Sequence, residues 1–287
     1  MTLPASKFKQ YLVLMRADRP IGSFLLLWPT LWALWLAGEG RPSASIVLIF
    51  IAGVFVMRSA GCVINDYADR HIDPDVARTC NRPIAAGLVQ PREALILFAV
   101  LCGIALLLVL QLNTLTIKLS VVAVILAASY PFVKRFTNLP QVYLGITFGW
   151  SIPMAFAAQS GQLPIVVWLL FLANICWTVA YDTMYAMVDR EDDLKIGVMS
   201  TAILFGNNDR FIIGLLQLII IVLLVLVGLI FERGSIYYFG LLLASTFFFY
   251  QQWLIAGRDP AQCLQAFLNN NWFGAVVFVG LALDYLP

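Results

Sequence analysis

Long apolar runs separated by short charged ones dominate the chain from its second dozen residues to its end. A bilayer crossing needs about 20 apolar residues. The runs therefore predict spans near 20–38, 44–65, 92–111, 114–132, 139–158, 163–187, 211–231, 235–255 and 269–286. Nine crossings with no soluble insertion make an all-α polytopic membrane protein, read as a single transmembrane domain over residues 1–287. Ahead of the first span, Phe8, Tyr11, Leu12 and Met15 recur at helical spacing among Lys7, Lys9 and Arg16. That is the pattern of a short helix lying in the headgroup layer.

Composition agrees with the pattern. The 287 residues are 61% hydrophobic and 12% charged, against about 25% charged in a soluble domain. A net charge of +2 says little, but its placement sets an orientation, because excess Lys and Arg mark cytoplasmic loops. Fourteen of the basic residues fall on the N-terminal side of the predicted topology. Only Arg41 and Arg233 fall opposite, and Arg58 and Lys118 lie inside spans. The N-terminus is thus expected in the cytoplasm and the C-terminus outside, in a bacterial inner membrane. No basic tract points to nucleic acid, no obligate protein partner is evident, and no cleaved leader is expected. Cys62, Cys80, Cys102, Cys176 and Cys263 have neither metal-ligand nor disulfide spacing and read as small core residues.

Two acidic clusters break the apolar pattern. Asn65, Asp66, Asp69 and Asp73 leave the second span, and Asp182, Asp189 and Asp193 leave the sixth. If the helix continues through the first cluster, Asn65, Asp69 and Asp73 share one face at i, i+4, i+8, spread over roughly 12 Å. Both clusters fall on the cytoplasmic side, and their spans are four crossings apart. They therefore run the same way, which suggests two four-helix pseudo-repeats plus one further helix. Local pairing, Asp66 with Arg70 or Asp189 with Lys195, is the plain alternative, but the carboxylates outnumber the cations at hand. Like charges on one face repel, and acids at membrane depth need a cation. Oxygen-only ligands suit Mg²⁺ better than zinc. Two facing carboxylate rows therefore imply a diphosphate held between them through Mg²⁺.

The same membrane face carries cations for an anionic substrate: Arg78 and Arg82 in the first cytoplasmic loop, Lys134 and Arg135 after the fourth span, and Lys195 beyond the second cluster. Arg offers bidentate contact to phosphate or carboxylate. Arg58 lies seven residues before Asn65, on the same helical face, and is expected to pair with the acids or touch substrate. His71, the one histidine, is expected to be an exposed loop residue. Tyr67, Tyr130, Tyr181 and Tyr185 lie beside the charged face, where ring faces can shield a cation.

At these residues the chain resembles the UbiA family of intramembrane prenyltransferases. Asn65, Asp66, Asp69 and Asp73 meet the family's Asn-Asp-x-x-Asp-x-x-x-Asp motif, and Asp189 and Asp193 its Asp-x-x-x-Asp motif. Asn81-Arg82-Pro83, the run from Tyr130 to Thr137, Gly149 to Met154 and Tyr181 to Asp193 look like the bacterial branch acting on 4-hydroxybenzoate. The resemblance implies a helical fold around a central cavity and transfer of a polyprenyl chain from polyprenyl diphosphate to carbon 3 of 4-hydroxybenzoate, in ubiquinone biosynthesis. It implies Mg²⁺ held by Asn65, Asp69, Asp73, Asp189 and Asp193, with Arg82 on the diphosphate and Arg135 on the diphosphate or the aromatic carboxylate. Asp69, Asp73, Asp189, Asp193 and Arg135 form the expected catalytic set. Arg58, Arg82, Lys134, Arg135, Lys195, Asp66, Asp182 and Tyr185 form the expected substrate contacts. A different aromatic acceptor, or a cation or metabolite transporter lined by these carboxylates, is the alternative.

Overall fold

A computed structural model describes residues 7–75, 79–133, 136–197 and 199–287. Every regular element among the described residues is helical. In order they are α1 (Lys7–Leu14), α2 (Ile21–Ala37), α3 (Ala44–Ala68), α4 (Pro91–Val109), α5 (Thr114–Val133), α6 (Pro140–Gly149) and α7 (Ser151–Ser160). They continue with α8 (Ile165–Val188), α9 (Arg190–Ile196), α10 (Thr201–Phe205), α11 (Asp209–Ile230), α12 (Ser235–Leu254) and α13 (Pro260–Asp284). Seven stretches are long and apolar enough to cross a membrane: α3, α4, α5, α8, α10 with α11, α12 with the turn after it, and α13. The expected count of nine also needs α2, which is shorter, and the α6–α7 pair.

The expected span 139–158 is two helices meeting at Trp150. Pro153 has no N–H for the Gly149 carbonyl, and its ring would crowd that carbonyl, so the ladder cannot run through unbroken. Trp150 is held in the break by its indole N–H, which donates to the Leu119 carbonyl at 2.9 Å. Gly149 lets α6 lie close on α8, where a Cβ would stand 2.8 Å from Asn174 Nδ2.

The last span starts earlier than its apolar content indicates, at Pro260 instead of residue 269. Asp259 caps it by accepting from the Gln262 N–H at 3.0 Å, and proline suits the first helical position. The asparagines at the start of the expected span are used between helices. Asn269 accepts from Gln251, Asn270 from the Trp177 indole at 2.9 Å, and Asn271 from the Trp28 indole at 2.9 Å. In lipid, interhelical hydrogen bonds and close packing hold a bundle together, because tails are as apolar as leucine.

The main core is aromatic. Trp32 and Trp177 stack at 5.3 Å, and Phe273 stands between Trp177 (5.3 Å) and Phe248 (4.2 Å), which joins α2, α8, α12 and α13. A second, smaller core joins α1, α3 and α4 around Leu14, Ala60, Val63, Val89 and Ala94. By contrast, α4 and α5 turn long apolar side chains outward, among them Leu107 and Ile125. An outward apolar face is what a lipid-facing helix presents. Cys62 and Cys263 are buried and Cys80, Cys102 and Cys176 partly so.

Candidate active site

The first acidic motif does not continue the α-helix as the spacing suggested. α3 ends at Ala68, Asp69 is its C-cap, and the chain turns into a short 3-10 segment, Asp73–Asp75. Carboxylates at a helix C-terminus oppose the helix dipole, which disfavours further extension. One turn survives through the Asp73 N–H to the Asp69 carbonyl at 2.9 Å. The second motif breaks in the same way. α8 ends with Asp189 as its cap, and Asp193 lies on the separate helix α9, tied back by its N–H to the Asp189 carbonyl at 2.9 Å.

Both acid-bearing helices open onto one cavity of about 430 Å³. Its polar end is lined by Asn65 and Asp66 of α3, Asp182 and Tyr185 of α8, Arg82 of the first long loop, and Arg16 after α1. Tyr130 of α5 and Tyr181 of α8 stand beside them. From there the lining turns apolar, along Met57, Val54 and Phe50 of α3 and Ala105, Leu108 and Leu112 on and after α4. From Asn65 to Ile49, both on the wall, α3 rises about 24 Å. The cavity is therefore charged at the end that carries the motifs and greasy along most of the bilayer depth.

The acids are buried and compensated. Asp66, Asp69 and Asp73 are at most 5% exposed. Asp66 accepts from Arg16 Nη2 with both oxygens at 2.9 Å, and Arg82 Nη1 lies 3.1 Å from Asp66 Oδ1. Arg82 also donates to both oxygens of Asp73, at 3.1 and 3.0 Å. Pairing therefore occurs, but not with the local cations. Arg70 instead donates to the Tyr67 carbonyl and lies over the Tyr67 ring at 4.4 Å, and Lys195 pairs with Asp192. Asn65 donates to Asp69 Oδ2 at 3.2 Å. Burial, with the charges of Asp66 and Asp69 adding to it and Arg82 opposing it, holds the Asp73 carboxyl above the ordinary carboxylate range.

Arg58 is a third cation on the cavity wall, after Arg16 and Arg82. It lines the wall two turns of α3 below Asn65, its guanidinium 5.6 Å from the Phe148 ring centre, and its Nε is buried with no hydrogen bond among the described residues. Gly22 makes room for it, since a Cβ there would stand 2.5 Å from Arg58 Nε.

Of the expected site residues, Arg58, Asn65, Asp66, Arg82, Asp182 and Tyr185 line this cavity. Asp69 and Asp73 sit just beyond Asp66 on the same chain segment, and Asp189 and Asp193 continue from α8. Lys195 is exposed, and so is His71. Arg78, Lys134 and Arg135 lie outside the described residues. The spacing pattern did not single out Arg16, which it counted only among the basic residues of one side. Leu14, fully buried under α3 and α4, carries Arg16 to Asp66, fifty residues on. No local signal announces a contact of that range.

Among the described residues, no three His, Cys, Asp or Glu side chains are gathered as a ready metal cage. The donor set is still that of a hard cation: an amide and several carboxylates, with two arginines in the cations' place. It fits Mg²⁺.

The chain is similar to known proteins along most of its length. Residues 26–276 match the UbiA prenyltransferase family. A Yersinia enterocolitica protein called 4-hydroxybenzoate octaprenyltransferase is 60% identical over 281 residues, covering 98% of each chain. A Yersinia pseudotuberculosis protein of the same name is 59% identical over 280 residues, 98% of this chain and 97% of that one. Among solved structures, the apo UbiA homolog of Aeropyrum pernix K1 superposes with a TM-score of 0.82 at 25% identity, over 92% of this chain and 98% of that one. A UbiA homolog of Archaeoglobus fulgidus, bound to GPP and Mg²⁺, shares the fold with a TM-score of 0.70 at 18% identity, over 95% and 99%. The matched span and the identity to full-length relatives place the chain in the UbiA prenyltransferase family.

Proposed function

We propose that this protein transfers a polyprenyl group from polyprenyl diphosphate to the ring carbon of 4-hydroxybenzoate ortho to its hydroxyl, with release of diphosphate and dependence on Mg²⁺. The observation that carries this reading is the meeting of α3 and α8, each with its acids, at the charged end of a cavity that is otherwise apolar. The likeness to relatives bearing the octaprenyltransferase name supports the donor and acceptor.

Asn65, Asp69, Asp73, Asp189 and Asp193 would hold the metal. Mg²⁺ bound there supplies the charge that neutralises a departing diphosphate. Arg82 and Arg16, at the charged end of the cavity, would contact the diphosphate oxygens, which a guanidinium matches in geometry. Arg135 and Lys134 are proposed to act on the same anion. Met57, Val54 and Leu108 house the apolar chain and exclude water from the reacting carbon. The allylic C–O bond breaks with its electron pair going to the diphosphate. The rings of Tyr130, Tyr181 and Tyr185 face the allylic cation from the cavity wall. The acceptor's ring carbon then forms the new C–C bond and loses its proton, restoring aromaticity. Arg58, about 10 Å along α3 from Asn65, holds the acceptor's carboxylate, so that a single ring spans from it to the charged end. The basic residues of that end support a reading in which it lies on the cytoplasmic face of a bacterial inner membrane.

The test is mass spectrometry of the product from 4-hydroxybenzoate and a set of prenyl diphosphates. Asp69→Ala and Asp189→Ala are expected to insert in the membrane and lose transfer. Wild-type turnover in excess EDTA would contradict the metal role. A transporter instead predicts solute uptake into liposomes without any prenylated product.

A further inference from the structure

Asp209 opens α11 and is fully buried, an acid the proposed chemistry does not use. Its Oδ2 accepts from Arg190 Nη1 at 3.1 Å. Its Oδ1 accepts from Arg258 Nη2 and from the Arg210 backbone N–H, both at 2.7 Å, and Arg258 Nε reaches the two oxygens at 3.1 and 2.9 Å. Arg258 also donates to the Asn207 carbonyl at 2.9 Å. A carboxylate is tolerated at this depth when it is paired and its oxygens are filled in this way. The cluster joins distant segments. Arg258 comes from the turn between α12 and α13, where its φ is 57°, and Arg190 is the first residue of α9.

Arg190 stands between the two acids of the second motif. α9 is only seven residues long, its Leu194 is 60% exposed, and Glu191 and Lys195 are exposed as well. Among its described side chains, apolar burial therefore does not fix the helix about its own axis. At about 100° per residue, Asp193 stands about 60° from Arg190 around the axis of α9, and Asp189 is the cap from which that helix starts. A tie at Arg190, next in the chain to Asp189, sets the bearing of Asp193, whose N–H is bonded to the Asp189 carbonyl.

We propose that Asp209 is a positioning residue for the second acidic row, acting through Arg190, with Arg258 holding Asp209 in place. This role rests on reading that row as a metal and diphosphate ligand. A merely structural cluster makes Arg258 the costlier loss, since it supplies more of Asp209's hydrogen bonds, and makes activity follow folding.

The experiment uses the full chain in detergent, with Arg190→Gln, Arg190→Lys, Arg258→Gln and Asp209→Asn. Two quantities are read: the Mg²⁺ concentration that half-saturates the rise in melting temperature with inorganic diphosphate, and the Mg²⁺ concentration that half-saturates prenyl transfer. Arg190→Gln is expected to raise both about tenfold, the usual scale for loss of a group that orients a metal ligand. It should leave KM for the aromatic acceptor unchanged, and Arg190→Lys should recover most of the loss. Asp209→Asn should match Arg190→Gln in Mg²⁺ requirement, whereas Arg258→Gln should lower the melting temperature further and shift that requirement less. A wild-type Mg²⁺ requirement in Arg190→Gln, in both assays, overturns the positioning role. A wild-type protein whose melting ignores Mg²⁺ and diphosphate overturns the reading of the acidic rows themselves, and this role with it.

Discussion

Arg82 bridges to Asp73 through one nitrogen, Nη1, which lies 3.1 and 3.0 Å from the two carboxylate oxygens and 3.1 Å from Asp66 Oδ1 as well. The bridge ties Asp73 to Arg82, which lines the charged end of the cavity. Thr79 fastens it by donating its hydroxyl to the Asp73 carbonyl at 2.9 Å. The same arginine therefore shapes the loop and neutralises the acids, and these roles are separable by substitution.

Arg82→Ala leaves Asp73 without its main cation and Asp66 with Arg16 alone. Removing one partner of a buried pair costs about 3–5 kcal/mol, and Arg16 reduces this to roughly 2–3 kcal/mol here. Arg82→Ala is expected to melt well below wild type in metal-free detergent and to lose transfer. Arg82→Lys keeps the charge without the planar fork, so it should recover stability more than activity. Equal melting temperatures for Arg82→Ala and wild type would remove the bridge from the account.

The raised carboxyl of Asp73 has a consequence for stability against pH. A group whose folded value exceeds its unfolded value of 3.8 binds more protons when folded. Stability therefore falls as pH rises from 3.8 to the raised value and levels off above it. In EDTA, Asp73→Asn should flatten this limb of the melting curve against pH. With Mg²⁺ present the trend should reverse, because only the ionised carboxylate ligates. An unchanged limb in Asp73→Asn would show that Asp73 is not its source.

The apolar pattern made the transmembrane helices legible to within a few residues, since length and hydropathy are local properties. It misplaced what proline and polar packing decide. The break at Trp150 depends on Pro153, and the early start of α13 depends on the Asp259 cap and Pro260, ahead of the apolar run. At the site, residue type and spacing located both acidic motifs. The continuous face at i, i+4, i+8 failed because α3 stops at Ala68. The partners of the acids, Arg16 for Asp66 and Arg190 for Asp209, are fifty and nineteen residues away, and only tertiary packing brings them together.

Gly240 and Gly280 let α12 and α13 touch backbone to backbone, and a Cβ on Gly240 would stand 2.9 Å from the Gly280 Cα. Small residues at such crossings permit the packing that holds membrane helices together. Gly240→Ala must push the helices apart, at a cost of about 1–3 kcal/mol. The expected result is a lower melting temperature with KM for both substrates unchanged, because the crossing does not line the cavity. A shifted KM would mean that α12 and α13 transmit the strain to the site.

Gly22→Ala makes the opposite separation. Its Cβ would lie 2.5 Å from Arg58 Nε and 2.7 Å from Nη2, the far end of a flexible side chain and not backbone. The guanidinium can give way, so the fold should survive with little change in melting. In giving way, Arg58 must leave its place near the Phe148 ring and point elsewhere in the cavity. If Arg58 holds the acceptor's carboxylate, KM for 4-hydroxybenzoate should rise about tenfold or more, the scale of a lost charge-assisted hydrogen bond, while KM for the prenyl diphosphate stays put. Arg58→Met, which keeps the length and drops the charge, should give the same split. A parallel rise in both KM values would instead assign Arg58 to the diphosphate.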